Sequence, residues 1–128
     1  MRAIELFAGA GGLALGVAEA GFTHGAVVEW DRHCCASIRE NQRRGVDPVA
    51  GWTLYQGDIR DFDFSQLRGE IDLLAGGPPC QPFSLGGKHG GLADHRNMFP
   101  TVANAARMLR PRAIPVHQSD LAGSAQFQ

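Results

Sequence analysis

The chain has 128 residues, 44% hydrophobic and 20% charged, with a net charge of −1 at pH 7, enough for one domain with a core but short for a two-domain enzyme. That balance argues against a large basic surface for nucleic acid, so a polyanion must be met by local contacts or with another chain's help. Three cysteines, two of them adjacent as Cys34-Cys35, give neither a disulfide framework nor zinc-type spacing. With no run of about 18 apolar residues and no export signal, we expect a reducing cytoplasm, no membrane and no metal.

Residues 2–7 read as a strand that runs into Ala8-Gly9-Ala10-Gly11-Gly12 and then a helix from about Leu13 to Ala20, stopped by Gly21. Strand, glycine turn and helix in that order let a ligand approach backbone N–H groups at a helix N-terminus. The spacing is not the dinucleotide fingerprint, and there is no Walker lysine. A second strand, about His24 to Val28, ends in Glu29-Trp30-Asp31. An acidic residue there is placed to accept hydrogen bonds from ribose hydroxyls, and the tryptophan offers a flat face to a base. Taken singly, Glu29 also suits a solvated strand end and Trp30 a core position.

Residues 32–43 show helical periodicity, with Cys35 and Ile38 on one face and His33 on the surface. A loop over 45–51 leads to a third strand, 52–56, ending in Gly57-Asp58-Ile59. Asp58 can accept from an exocyclic amine while Ile59 packs on the ring, or it can cap the turn that follows.

The apolar run 71–75 is a fourth strand, followed by Gly76-Gly77-Pro78-Pro79-Cys80-Gln81-Pro82-Phe83-Ser84. Prolines fix their own backbone and bias the residue before each to extended geometry, while glycine frees the chain to leave the strand. Cys80 is therefore a held thiol. An ordinary thiol is only about 3% ionised at pH 7, so a nucleophile here needs its pKa lowered by roughly two units.

Pro78-Pro79-Cys80-Gln81-Pro82-Phe83-Ser84 resembles the catalytic motif of the cytosine-5 DNA methyltransferases. Phe7-Ala8-Gly9-Ala10-Gly11-Gly12 resembles that family's S-adenosylmethionine loop, Glu29-Trp30 its ribose and adenine pair, and Gly57-Asp58-Ile59 its adenine-amine contact. The resemblance implies an α/β, Rossmann-like methyltransferase sheet, incomplete on its C-terminal side. It implies cofactor contacts at Phe7, Ala8, Gly9, Gly11, Gly12, Glu29, Trp30, Asp58, Ile59, Pro78 and Met98. It also implies Cys80 as the catalytic nucleophile, and contacts to cytosine or its strand at Pro79, Gln81, Ser84, Lys88 and Arg96. In the implied reaction the Cys80 thiolate adds to carbon 6 of a flipped-out cytosine, and carbon 5 then takes the methyl group from the sulfonium. Four glycines over 85–91, with Lys88 and His89, suit a lid that orders on nucleic acid.

A helix over about 100–109 comes next, and there the match stops. The family's following strand carries Glu-Asn-Val, whose glutamate holds the cytosine ring; here no glutamate occurs after Glu70, and Pro115 stands where a central strand needs an N–H. We therefore divide the chain into 1–113, the N-terminal part of a catalytic domain, and 114–128, a tail that departs from the family. The expectation is a truncated chain with little turnover alone, or half of a split enzyme completed by a second polypeptide. Alternatives are a tRNA cytosine-5 methyltransferase fragment and a non-catalytic S-adenosylmethionine-binding module. A nicotinamide dehydrogenase leaves Cys80 unexplained.

Overall fold

The computed structural model describes residues 1–78 and 98–115. Four strands, β1 (Arg2–Leu6), β2 (Thr23–Glu29), β3 (Leu54–Gln56) and β4 (Leu73–Gly76), and three α-helices, α1 (Gly12–Glu19), α2 (Arg32–Arg43) and α3 (Phe99–Leu109), follow the order β1-α1-β2-α2-β3-β4-α3, with 3-10 turns alone between β3 and β4. They form one parallel sheet in the order β3-β2-β1-β4.

Parallel strands are covered on both faces, which is why their apolar runs are nearly continuous. Alternation along each strand then sorts the side chains. Ile4, Leu6, Ala26, Val28 and Leu74 point to one face, against Val102, Ala105 and Leu109 of α3. Ala3, Val27 and Ala75 point to the other, against Ala14 and Val17 of α1 and Ile38 of α2. The result is three layers, with α1 and α2 on one side and α3 on the other.

Local chemistry sets the helix ends. The N-cap of α2 is Asp31, whose carboxylate accepts from the N–H groups of His33 (2.8 Å) and Cys34 (2.9 Å). A proline in the first turn opens α3, and Arg110 closes it in the left-handed conformation. The third strand begins at Leu54 rather than at the expected residue 52, because Trp52 turns into the core, and the expected loop at 45–51 ends in a 3-10 turn, Val49–Gly51.

Beyond α3 the chain lies against the outer edge of β4. Ala113 donates to the carbonyl of Asp72 (3.1 Å), Leu74 to that of Ala113 (3.0 Å), and Gly76 to that of Pro115 (3.4 Å). In this register the next bond would run from residue 115 to the Leu74 carbonyl, and proline has no N–H to give. The ladder is reduced to the single bridge between Leu73 and Ala113. Among the described residues no helix is long and apolar enough to cross a membrane, and no three His, Cys, Asp or Glu side chains group as metal ligands.

Candidate functional site

Because all four strands are parallel, their carboxyl ends share one edge. From β1 the chain winds to β2 and β3 on one flank, then returns to β4 on the other. Such a reversal of strand order opens a crevice at the strand ends.

The turn after β1 is unusual in its backbone. Phe7 (φ 56°), Gly9 (φ 59°) and Gly11 (φ 100°) all have positive φ. For phenylalanine that is a strained conformation, of a kind concentrated at functional sites. Ala8 N–H holds the turn by donating to the Val28 carbonyl (3.2 Å), and Gly11 N–H closes it on the Ala8 carbonyl (3.0 Å). The space above Gly9 is open, whereas a Cβ on Gly11 would lie 3.1 Å from the Trp52 ring. Gly12 then starts α1, which has no side-chain cap and no acidic residue in its first turn.

Glu29 ties the turns together. Its buried carboxylate accepts from Gly9 N–H (2.7 Å) through Oε1, and from Trp30 and Asp31 N–H (2.8 Å each) through Oε2. Its main-chain carbonyl accepts from Gly57 N–H (3.0 Å), which draws in the end of β3. Charge-assisted bonds of this kind are about twice as strong as neutral ones. Trp30 is 73% exposed, so it is not a core residue, and the Asp31 cap behind it fixes where it leaves the strand.

Asp58 does cap the turn that follows it, accepting from Arg60 N–H (2.9 Å), and its carboxylate also pairs with the Arg60 guanidinium (2.5 Å). Those contacts hold its carboxyl below the usual carboxylate range. Ile59 is buried in the core cluster that Met98 and Phe7 pack against. On the other flank Gly76 faces Leu6, and a Cβ there would come within 2.9 Å of the Leu6 carbonyl oxygen. Gly76 has no positive φ, so what it supplies is close approach of β4 to β1 and not the backbone freedom expected from sequence. Pro78 is buried just beyond it.

Cys34 and Cys35 are no rival nucleophiles. Burial, and then the Glu29 carboxylate, push both thiols up, and the Cys35 thiol donates to the Glu29 carbonyl (3.4 Å). The expected roles of Pro79, Cys80, Gln81, Ser84, Lys88 and Arg96, and the expected lid over 85–91, lie outside the described residues. Three contributors were not singled out from sequence. Asp31 was legible as a capping residue before a helical run. Arg60 beside Asp58 and Trp52 beneath Gly11 carry no local signal.

A family model for the C-5 cytosine-specific DNA methylases matches residues 1–116. The chain belongs to this family. Among curated relatives it is 43% identical over 110 residues to the type II methyltransferase M.PspPI of Psychrobacter sp. (strain TA137), covering 85% of this chain and 25% of that protein. It is 40% identical over 112 residues to M.Eco47II of Escherichia coli, covering 87% and 25%. To M.NgoMIV of Neisseria gonorrhoeae it is 42% identical over 111 residues, covering 87% and 33%. This C-5 methylase chain thus spans a quarter to a third of the length of these three relatives. A Methanococcus maripaludis protein assigned to the S-adenosyl-L-methionine-dependent methyltransferases shares the fold, with a TM-score of 0.54 at 11% identity over 90% of this chain and 47% of that one.

Proposed function

We propose that this chain is the cofactor-binding and nucleophile-bearing part of a DNA (cytosine-5-)-methyltransferase, holding S-adenosyl-L-methionine over the carboxyl ends of β1, β2 and β3. The observation that carries this reading is the Glu29 cluster, in which one carboxylate and its own carbonyl join the turns after all three strands.

The residues present fit the cofactor. The uncapped start of α1 favours a carboxylate, and the turn from Phe7 to Gly12 presents main chain to it. A carboxylate has about four acceptor positions. Three of those on Glu29 are filled by N–H groups, which leaves one on Oε1 for a single ribose hydroxyl. The exposed Trp30 indole offers a face to adenine. Asp58 takes the amine once Arg60, which is exposed, swings aside. Ile59, Pro78 and Met98 supply apolar walls. When bound, the cofactor supplies an electrophilic methyl group on a sulfonium.

Cys80 follows β4 in sequence, and as a thiolate it adds to carbon 6 of cytosine. Pro79, Gln81, Ser84, Lys88 and Arg96 serve the base and its strand. DNA is the substrate and the cytoplasm the compartment. No Glu-Asn-Val segment occurs in these 128 residues, so turnover requires that segment and a DNA-reading part, whether they stand in the same polypeptide or in a second one.

Calorimetry with S-adenosylmethionine is the direct test. Saturable binding is expected for the chain and for Cys80→Ser, and a loss of about tenfold or more for Trp30→Ala, in line with the roughly 1–3 kcal/mol of a base stacked on an aromatic ring. Absence of binding to the folded chain would sink the reading. Labelled methyl transfer to DNA is expected only when the missing motifs are supplied, by extension of the chain or by a second polypeptide.

A further inference from the structure

The carboxylate that would receive the adenine amine is already filled from within the chain. Asp58 Oδ1 accepts from the main-chain N–H of Arg60 (2.9 Å) and from its Nε (3.0 Å). Asp58 Oδ2 accepts from the same Nε (3.1 Å) and from a terminal guanidinium nitrogen (2.5 Å). A carboxylate has about four acceptor positions, and here one residue takes them all. Glu29 differs, because main-chain N–H groups alone hold it and one position stays open.

The contacts on Asp58 are not equally able to yield. The main-chain N–H belongs to the 3-10 turn Ile59–Asp61, which is closed by Asp61 N–H on the Asp58 carbonyl (3.0 Å) and anchored by the buried Ile59. The Arg60 side chain is 54% exposed, and among the described residues its guanidinium bonds to Asp58 alone. Swinging it out frees both carboxylate oxygens, while the cap bond from the main chain keeps Asp58 in place.

A displaced guanidinium has somewhere to go. Arg60 also lines a cavity of about 350 Å³ beside α3, with Phe62, Phe64, Thr101 and Asn104. Ile59 lines it too, so the cavity adjoins the proposed adenine wall. The faces of aromatic rings such as Phe62 and Phe64 attract a guanidinium. Asn104, whose amide nitrogen lies 3.8 Å from Met108 Sδ, has its amide oxygen to accept from one.

We propose that Arg60 is a latch on the cofactor site: it occupies the amine's place on Asp58 while the site is empty, and must be displaced toward the cavity beside α3 for the base to bind. The latch rests on the cofactor reading, since that reading is what brings an amine to Asp58. It keeps the carboxylate satisfied in the empty site and competes with the ligand for it. Apparent affinity falls with the fraction of chains in which the latch is open. Removing Arg60 therefore tightens binding, whereas removing an arginine that touched the ligand or held up the site would weaken it.

The probe is S-adenosylhomocysteine, which keeps the adenosine of the cofactor and carries no net charge, so loss of an arginine does not act through the charge of the ligand. Arg60→Met retains the aliphatic stem and removes every side-chain donor. Calorimetry is expected to show about two- to fivefold tighter binding to Arg60→Met than to the parent chain, the range set by an exposed ion pair. In an Asp58→Asn background, where no carboxylate is covered, Arg60→Met should leave affinity unchanged. Equal or weaker binding to Arg60→Met overturns the latch and leaves the cofactor reading standing. A probe that binds neither chain overturns the cofactor reading, and the latch with it. The NMR signal of Arg60 Nε–H reads the motion in the parent chain itself. It should be protected from exchange in the free chain and shift on saturation with the probe. A signal unmoved at saturation overturns the latch.

Discussion

The two flanks of β1 are built differently. Toward β2 and β3, three turns are locked by one residue, since Glu29 receives four main-chain N–H groups through its carboxylate and carbonyl. Toward β4, the strand ends meet by close approach at Gly76, and the next segment, 112–115, is held by a few long-spaced bonds that Pro115 interrupts. Among the described residues the first flank is closed by hydrogen bonds, while pairing along the outer edge of β4 is reduced to one bridge. A ligand site that depends on the first flank can therefore form without further pairing along β4.

Removing the Glu29 carboxylate is the largest perturbation of this contrast. Glu29→Ala deprives three N–H groups of a charged acceptor, and hydrogen bonds to charged groups are worth about 1.5–3 kcal/mol each. We expect a stability loss of about 3 kcal/mol or more by denaturant titration, together with loss of S-adenosylmethionine binding. A variant that binds normally would show the turns to be self-supporting. Gly76→Ala tests the other flank. Its Cβ would sit 2.9 Å from the Leu6 carbonyl oxygen, which is backbone and cannot give way locally. Overpacking of this kind costs about 1–3 kcal/mol. Because the strain falls between β1 and β4, adenosine affinity should change less in Gly76→Ala than in Glu29→Ala for an equal loss of stability.

The sequence was most legible where one residue type serves one purpose. Apolar runs marked β1, β2 and β4, and the glycine turn marked the break between β1 and α1. It was least legible where the purpose is set by a distant neighbour. Nothing local says that Trp52 leaves the strand for the core beneath Gly11, or that Gly76 answers the Leu6 carbonyl. Pro115 was a middle case: its missing N–H was readable, but which carbonyl goes without it required the register against β4.

That register gives a smaller, opposite-signed test. Pro115→Ala restores an N–H opposite the Leu74 carbonyl, and a typical bond gains about 0.5–1.5 kcal/mol. Part of the gain is offset because alanine has more freedom in the unfolded chain than proline. Net stabilisation by several tenths of a kcal/mol is expected, with slow exchange of the new residue 115 amide in hydrogen-exchange measurements. An unchanged Tm and a fast-exchanging amide would mean that 112–115 is not held along β4.

The smallest expected effect is at Asp58. Its carboxyl is held low chiefly by side-chain hydrogen bonds from Arg60, then by the Arg60 backbone N–H. A carboxyl depressed on folding adds stability above its unfolded value of about 3.9, and that contribution fades as pH falls through the lower folded value. Both partners are partly exposed, so screening keeps the pair to under about 1 kcal/mol. Asp58→Asn retains a cap acceptor but loses the charge. Its stability should therefore lie slightly below that of the parent chain at pH 7 and converge with it in acid, with most of the gap removed by high salt. A gap that persists at low pH or in high salt would assign Asp58 a packing role in place of the electrostatic one, leaving its carboxylate free of Arg60 and already available to an amine.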